Sequence, residues 1–238
     1  DVCSSDLRII AGRDKLYSVI AHDLRSPMGS IKMVLNMLML NLPVEKIGGE
    51  MYELLTMANR TTEDVFSLLD NLLKWTKSQI GNLNVVYQDV DAVEVVDSVI
   101  DVFNMVAGLK KITIREEKPE KLPVCTDIDM LKTIIRNLLS NAIKFSNENS
   151  EVLVKMEEQG DTVVVSVKDS GCGIDEEGQK KLLHTDTHFS TFGTNNEEGS
   201  GLGLLLCQDF AVKSGGKLWF TSKKGEGSTF YFSIPLKK

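Results

Sequence analysis

The cysteines do not pair. Cys3, Cys125, Cys172 and Cys207 stand far apart with no CxxC spacing. That excludes a zinc-finger site and a disulfide framework, and suits reduced thiols. No apolar run reaches the ~18–20 residues of a membrane span. The richest one, residues 31–42, is broken by Lys32, Asn36 and Asn41. There is no run of Lys or Arg, and the net charge is −7, which argues against a nucleic-acid partner. Internal repeats and low-complexity tracts are also missing. What remains is 42 % hydrophobic and 26 % charged over 238 residues. This is an ordinary globular composition, long enough for one large domain or two modest ones.

Residues 1–7 back-translate to GACGTGTGCTCTTCCGATCT, a common sequencing-adapter sequence. The expectation is a non-native segment, with a natural chain that extends further upstream. Any membrane attachment would then come only through that missing upstream region. A start codon and ribosome site in the source DNA before Asp1 would refute this.

Residues 8–41 read as one long helix. Leu16, Val19, Ile20, Leu24, Met28, Ile31, Leu35 and Leu38 recur at three- and four-residue spacing. Pro27 removes a backbone donor inside it and predicts a local kink. His22 lies beside the apolar stripe and is followed at once by Asp23. On its own it could be a proton donor, a metal ligand, a nucleophile or a surface residue. Pro43 and Gly48–Gly49 mark a loop, and a near-heptad stripe over residues 50–79 predicts a second helix. Two long helices joined by a short loop form an antiparallel hairpin that cannot bury both stripes alone. Pairing with a second copy would give a dimeric four-helix bundle.

After residues 81–84, a linker, the period changes. Strands are expected at 84–89, 111–116 and 124–125. Helices are expected at 92–109 and from Asp127, a good N-cap, to Phe145. Strand pairs follow at 152–156 with 163–167, and at 217–222 with 229–234. The fold class is α+β: a helical hairpin (8–80), then an α/β sandwich (85–238).

Four polar clusters mark the second domain. Asn137, Asn141 and Lys144 fall at i, i+4 and i+7, on one helix face. Two amides and an ammonium there suit a metal–phosphate group, or else a solvated face. Asp169, Gly171 and Gly173 follow a strand. The glycines permit close approach of a ligand, and a buried carboxylate can accept from an exocyclic amine; a plain turn is the alternative. Gly199, Gly201 and Gly203 open a helix whose free N–H groups could meet an anion. The cluster does not follow a strand, so it is not the dinucleotide fingerprint. Residues 184–198 are too irregular for a regular element and read as a lid or a loop.

In this order and spacing, the clusters resemble the catalytic core of a sensor histidine kinase of two-component signalling, over nearly all of residues 8–238. In detail they are most similar to the Bacteroidetes type. His22 falls in the H box, 137–145 matches the N box, 169–173 the G1 box and 199–203 the G2 box. A shortened F box lies at 188–192, and 225–230 is the final glycine motif. The resemblance implies a dimerisation and phosphoacceptor hairpin followed by a Bergerat-type ATP-binding domain, with ATP and Mg²⁺ as cofactors. It implies His22 as phosphoacceptor and Asp23 as its orienter and general base. It implies Asn141 as Mg²⁺ ligand, with Asn137 and Lys144 near the phosphates, Phe145 by the nucleotide rings and Asp169 on the adenine amine. Gly171 and Gly173 shape that pocket; Gly199, Gly201, Leu202 and Gly203 meet the phosphates, and Thr229 completes the nucleotide set. The implied partners are a second copy and a response-regulator receiver. The implied location is a cytoplasmic catalytic region, which could belong to a membrane-anchored sensor.

Two departures bear on activity. Hydrolysing relatives place a Glu where this chain has Asn137, and an amide cannot act as base, which favours transfer to histidine over hydrolysis. Ser26 stands where phosphatase-competent kinases carry Thr or Asn, which leaves phosphatase activity open. Against the kinase reading stand an ATP-holding scaffold that does not phosphorylate and a gyrase-like clamp. Intact nucleotide boxes together with His22 favour the kinase.

Overall fold

The computed structural model describes residues 2–42, 48–79, 85–182, 193–194 and 201–236. The chain divides into two compact units, Asp1–Asn84 and Val85–Lys238.

The first unit is a helical hairpin of α1 (Val2–Asn41) and α2 (Gly49–Gln79). Helix α1 runs unbroken through Pro27. The two helices are antiparallel, since partners on α2 fall in number as those on α1 rise. Arg25 pairs with Asp70, which Lys74 also meets at 3.0 Å, while Lys32 meets Glu63 at 3.4 Å. Between them, Gly29 faces the Phe66 ring, and Lys32 Nζ lies 5.5 Å from that ring's centroid. Leu69 and Leu73 are buried, with Met28 and Leu72 packed on them. A second set of apolar side chains stays exposed, among them Ile20, Leu24, Ile31, Val34, Met37, Leu54 and Met57.

The second unit opens with β1 (Gln88–Asp91) and α3 (Ala92–Leu109). Strands β2 (Thr113–Glu117) and β3 (Pro123–Thr126) follow, then α4 (Ile128–Phe145). Next come β4 (Glu151–Gln159), β5 (Thr162–Lys168) and the short α5 (Glu176–Lys181). Helix α6 (Leu202–Lys213) and strands β6 (Leu218–Lys223) and β7 (Gly227–Pro235) complete it. A five-stranded sheet has the order β2-β4-β5-β7-β6, and β1 pairs with β3 in a second sheet. Only the β2–β4 pair in the larger sheet is parallel.

The core is a helix layer on one sheet face. Alternate residues Val152, Val154 and Met156 of β4, Val163, Val165 and Val167 of β5, and Phe230, Phe232 and Ile234 of β7 are buried. Against them lie Leu131, Ile134, Ile135, Leu138 and Leu139 of α4 and Leu206 and Phe210 of α6. Period two on the strands and 3.6 on the helices bring these sets face to face. Asp127 caps α4, its Oδ1 accepting from the N–H groups of Asp129 and Met130 at 2.9 and 3.1 Å. The first strand sits at 88–91 rather than 84–89, since its register is set by pairing with Pro123–Thr126. Among the described residues no helix is long and apolar enough to cross a membrane.

Candidate functional site

Helix α4 supplies the first wall. Its apolar face is buried, while Asn137, Asn141, Lys144 and Phe145 are half-buried along one edge. Lys144 Nζ lies 5.1 Å from the centroid of the Phe145 ring, within reach of a cation–π attraction. Asn137 Nδ2 donates to Thr133 O at 2.9 Å, which leaves Oδ1 pointing toward the first turn of α6. A Cβ on Gly203 would stand 2.7 Å from that oxygen. The amide of Asn137 and the start of α6 therefore share one space.

Helix α6 begins at Gly201, whose φ of 67° is left-handed and whose missing side chain gives no cap. A helix N-terminus opened by glycine is the kind of element that can turn backbone N–H groups toward an anion. Leu202 is half-buried. Gly199 and the segments 183–192 and 195–200, which hold the expected F box, lie outside the described residues.

The second wall is the turn after β5. Asp169 is 4 % exposed. Its Oδ1 accepts from the N–H groups of Gly171 and Ser228 at 2.9 and 3.1 Å. Burial pushes the carboxyl above the usual carboxylate range, against the pull of those two N–H groups. The turn leaves no room for a side chain: a Cβ on Gly171 would meet Phe145 O at 2.0 Å, and one on Gly173 would meet Lys223 O at 2.0 Å. A Cβ on Gly227 would likewise stand 2.2 Å from Asp169 O. So the turn, the end of α4 and the β6–β7 hairpin are in backbone contact. Ser228 of β7 bonds Asp169 through its backbone; its neighbour Thr229 pairs in register with Lys168 and Thr221.

The C-terminal end of α4 is a meeting point. Its last four carbonyls need partners from elsewhere, and each has one. Ala142 O accepts from Ser146 N at 3.0 Å and Phe145 O from Cys172 N at 3.4 Å. Lys110 Nζ donates to Ile143 O at 3.1 Å and to Lys144 O at 2.9 Å. Thr194 N donates to Lys144 O at 3.1 Å. Neither Lys110 nor Thr194 stands out in the sequence, and nothing in the pattern marks them.

In the first unit, the backbone of His22 is part of α1 and its side chain lies outside the described residues; Asp23 and Ser26 are exposed. Among the described residues no cluster of three or more His, Cys, Asp or Glu could hold a metal ion.

Residues 126–238 match the family model described as histidine kinase-, DNA gyrase B- and HSP90-like ATPase. The chain is 29 % identical over 229 residues to the adaptive-response sensory kinase SasA of Crocosphaera subtropica, covering 94 % of this chain and 59 % of that one. It thus spans somewhat under two thirds of that relative. The solved catalytic domain of histidine kinase ThkA is 30 % identical, with a TM-score of 0.56 over 63 % of this chain and 96 % of that domain. Full-length ShkA in complex with AMPPNP is similar in fold, with a TM-score of 0.72, 21 % identity, and coverage of 94 % of this chain and 46 % of that one.

Proposed function

The chain belongs to the sensor histidine kinase family, its second unit being that family's ATP-binding catalytic domain, and from that premise we propose that it phosphorylates His22 from ATP and relays the phosphoryl group to an Asp of a response-regulator receiver. The observation that carries the reading is the meeting of two helices, a turn and a strand hairpin at one place. Asn137 stands against Gly203, Phe145 against Gly171, and Asp169 beneath Gly227.

In this reading Asp169 holds the nucleotide's base. Its Oδ1 is fixed by two backbone N–H groups, so Oδ2 is presented to the exocyclic amine of adenine. Phe145 packs beside the rings, and Lys144 and the first turn of α6 neutralise phosphate charge. Asn141 fits a Mg²⁺ ligand: it offers one neutral, hard amide oxygen, and Mg²⁺ is usually held by one or two protein oxygens plus phosphates and water. When bound, the ion would offset charge on the phosphoryl oxygens. A ring nitrogen of neutral His22 attacks the γ-phosphorus in line. The N–P bond forms, the bond to the ADP oxygen breaks, and the imidazole proton passes to Asp23. The protein's share is positioning and charge, since little other covalent chemistry is needed.

We also propose a homodimer, supported by the apolar side chains that the hairpin leaves in water. Ile31 is 48 % and Leu54 60 % exposed, and a four-helix bundle would cover such a stripe. Incubation with γ-labelled ATP tests the proposal. Acid-labile label that disappears in His22→Ala is expected; label that persists without His22 would refute the assignment, and ATP bound without any label would leave a scaffold.

A further inference from the structure

Lys110 is a buried ammonium that donates to backbone carbonyls and a hydroxyl. It is 7 % exposed. Its Nζ donates to Ile143 O at 3.1 Å, to Lys144 O at 2.9 Å and to Thr194 Oγ1 at 2.6 Å. Burying a charge is costly unless it is matched. The carbonyl end of α4, where the helix dipole concentrates negative charge, contributes to that match. Thr194 Oγ1 in turn donates to Ser146 O at 2.8 Å, so ammonium, hydroxyl and helix end are joined by hydrogen bonds. The set lies on the backbone of Lys144 and one residue from Phe145, side chains assigned above to phosphate and base.

We propose that Lys110 is a positioning residue for nucleotide binding. It clamps the last turn of α4, together with Thr194, so that Lys144 and Phe145 meet ATP in fixed places. The inference rests on the reading of 137–145 as the nucleotide-binding face. Lys144 and Phe145 would touch the nucleotide equally before and during transfer. Loosening them raises KM and leaves kcat nearly unchanged, the signature of uniform binding.

The test uses the full chain and four proteins: wild type, Lys110→Met, Lys110→Arg and Thr194→Val. Each is titrated with ATP by calorimetry and assayed for initial rates of His22 labelling, well below its own Tm. Lys110→Met is expected to raise Kd and KM for ATP by about tenfold or more, since charged hydrogen bonds are lost. Its kcat should move far less, and Lys110→Arg should restore most of the affinity. Thr194→Val should shift Kd the same way by about threefold, as a hydroxyl that accepts from Lys110 and donates to Ser146 O is lost. A Lys110→Met protein that loses only Tm and keeps the wild-type Kd overturns the proposal, as does an equal fall in kcat and kcat/KM. If Lys110→Met does not fold, Thr194→Val decides: an unchanged Kd overturns it. Wild type that binds no ATP would overturn the kinase reading and this inference together. Wild type that binds while the variants match it overturns this inference alone.

Discussion

Replacing Asp169 by Asn changes one atom's chemistry in a site whose geometry is otherwise fixed. The Asn oxygen can keep both backbone bonds that Asp169 Oδ1 accepts, from Gly171 N at 2.9 Å and Ser228 N at 3.1 Å. That retention forces the NH₂ group into the place of Oδ2, where the adenine amine would meet a donor instead of an acceptor. A hydrogen bond to a charged group contributes about 1.5–3 kcal/mol, so Kd for ATP should rise by about 10- to 150-fold. Stability should move the other way. Burial raises the Asp169 carboxyl above its unfolded value. The folded state therefore favours the protonated acid, and its stability is fully present below the unfolded pKa and falls as pH rises through the folded one. The amide does not titrate. Asp169→Asn should melt at or above the wild-type Tm at pH 7 without nucleotide, with the gap closing as pH is lowered toward the ordinary carboxylate range. Calorimetric ATP titration and thermal melts from pH 4 to 8 measure both halves. An Asn variant that binds ATP like wild type would refute Asp169 as the acceptor. One that melts well below wild type at pH 7 would refute the buried-charge argument.

Two further substitutions separate glycines that look alike in sequence. Gly203→Ala places a Cβ 2.7 Å from Asn137 Oδ1, the end of a side chain that can rotate. It should cost about 1 kcal/mol of stability while displacing Asn137 and weakening ATP binding. Gly171→Ala places its Cβ 2.0 Å from Phe145 O, which is backbone and cannot yield. It should cost about 3 kcal/mol or more in denaturant unfolding, and equal costs for the two would contradict the packing described. The thiols give a third test. Cys172 is exposed between Gly171 and Gly173, whereas Cys207 is fully buried and desolvation pushes its thiol well up. A disulfide reagent should label Cys172 rapidly in the folded chain, more slowly with saturating ATP, and Cys207 only on unfolding. Unchanged Cys172 labelling with ATP bound would count against its turn lining the nucleotide.

Where local chemistry decides, the sequence was legible. The helix at 128–145 follows from Asp127 as N-cap and a run of apolar residues at helical spacing, and it forms over those residues. The helix at 92–109 likewise matches its apolar pattern. The hairpin of β4 and β5 closes around Gly160, whose φ of 62° suits glycine. Where pairing decides, local pattern misplaced or missed elements. Strand β1 takes its register from β3, not from its own alternation. Helix α5 is six residues of polar composition with no periodicity, held by Asp175 accepting from Gly178 N at 2.9 Å. The site divides the same way. Asn137, Asn141, Lys144 and Asp169 are proposed from side-chain type and spacing. Ser228 acts through its backbone N–H, which every non-proline residue carries, so only the fold reveals it.

The same division explains why Lys110 is silent in sequence. Lys110 and Lys111 are adjacent and chemically identical, yet one is buried and the other exposed. The end of α3 separates them. Ile112 N donates to Ala107 O at 2.9 Å and Lys111 N to Gly108 O at 3.0 Å, the bond pattern of a Schellman motif. That motif needs a left-handed residue, and Lys111 supplies it with a φ of 55°, a conformation glycine adopts more cheaply. Ile112, 4 % exposed, drops into the core as the apolar contact that usually accompanies the motif. The chain reversal turns Lys110 inward to α4 and leaves Lys111 in water. A helix stop thus decides which ammonium becomes structural, and the strain at Lys111 is offset by burial of Ile112 and by the bonds that Lys110 makes.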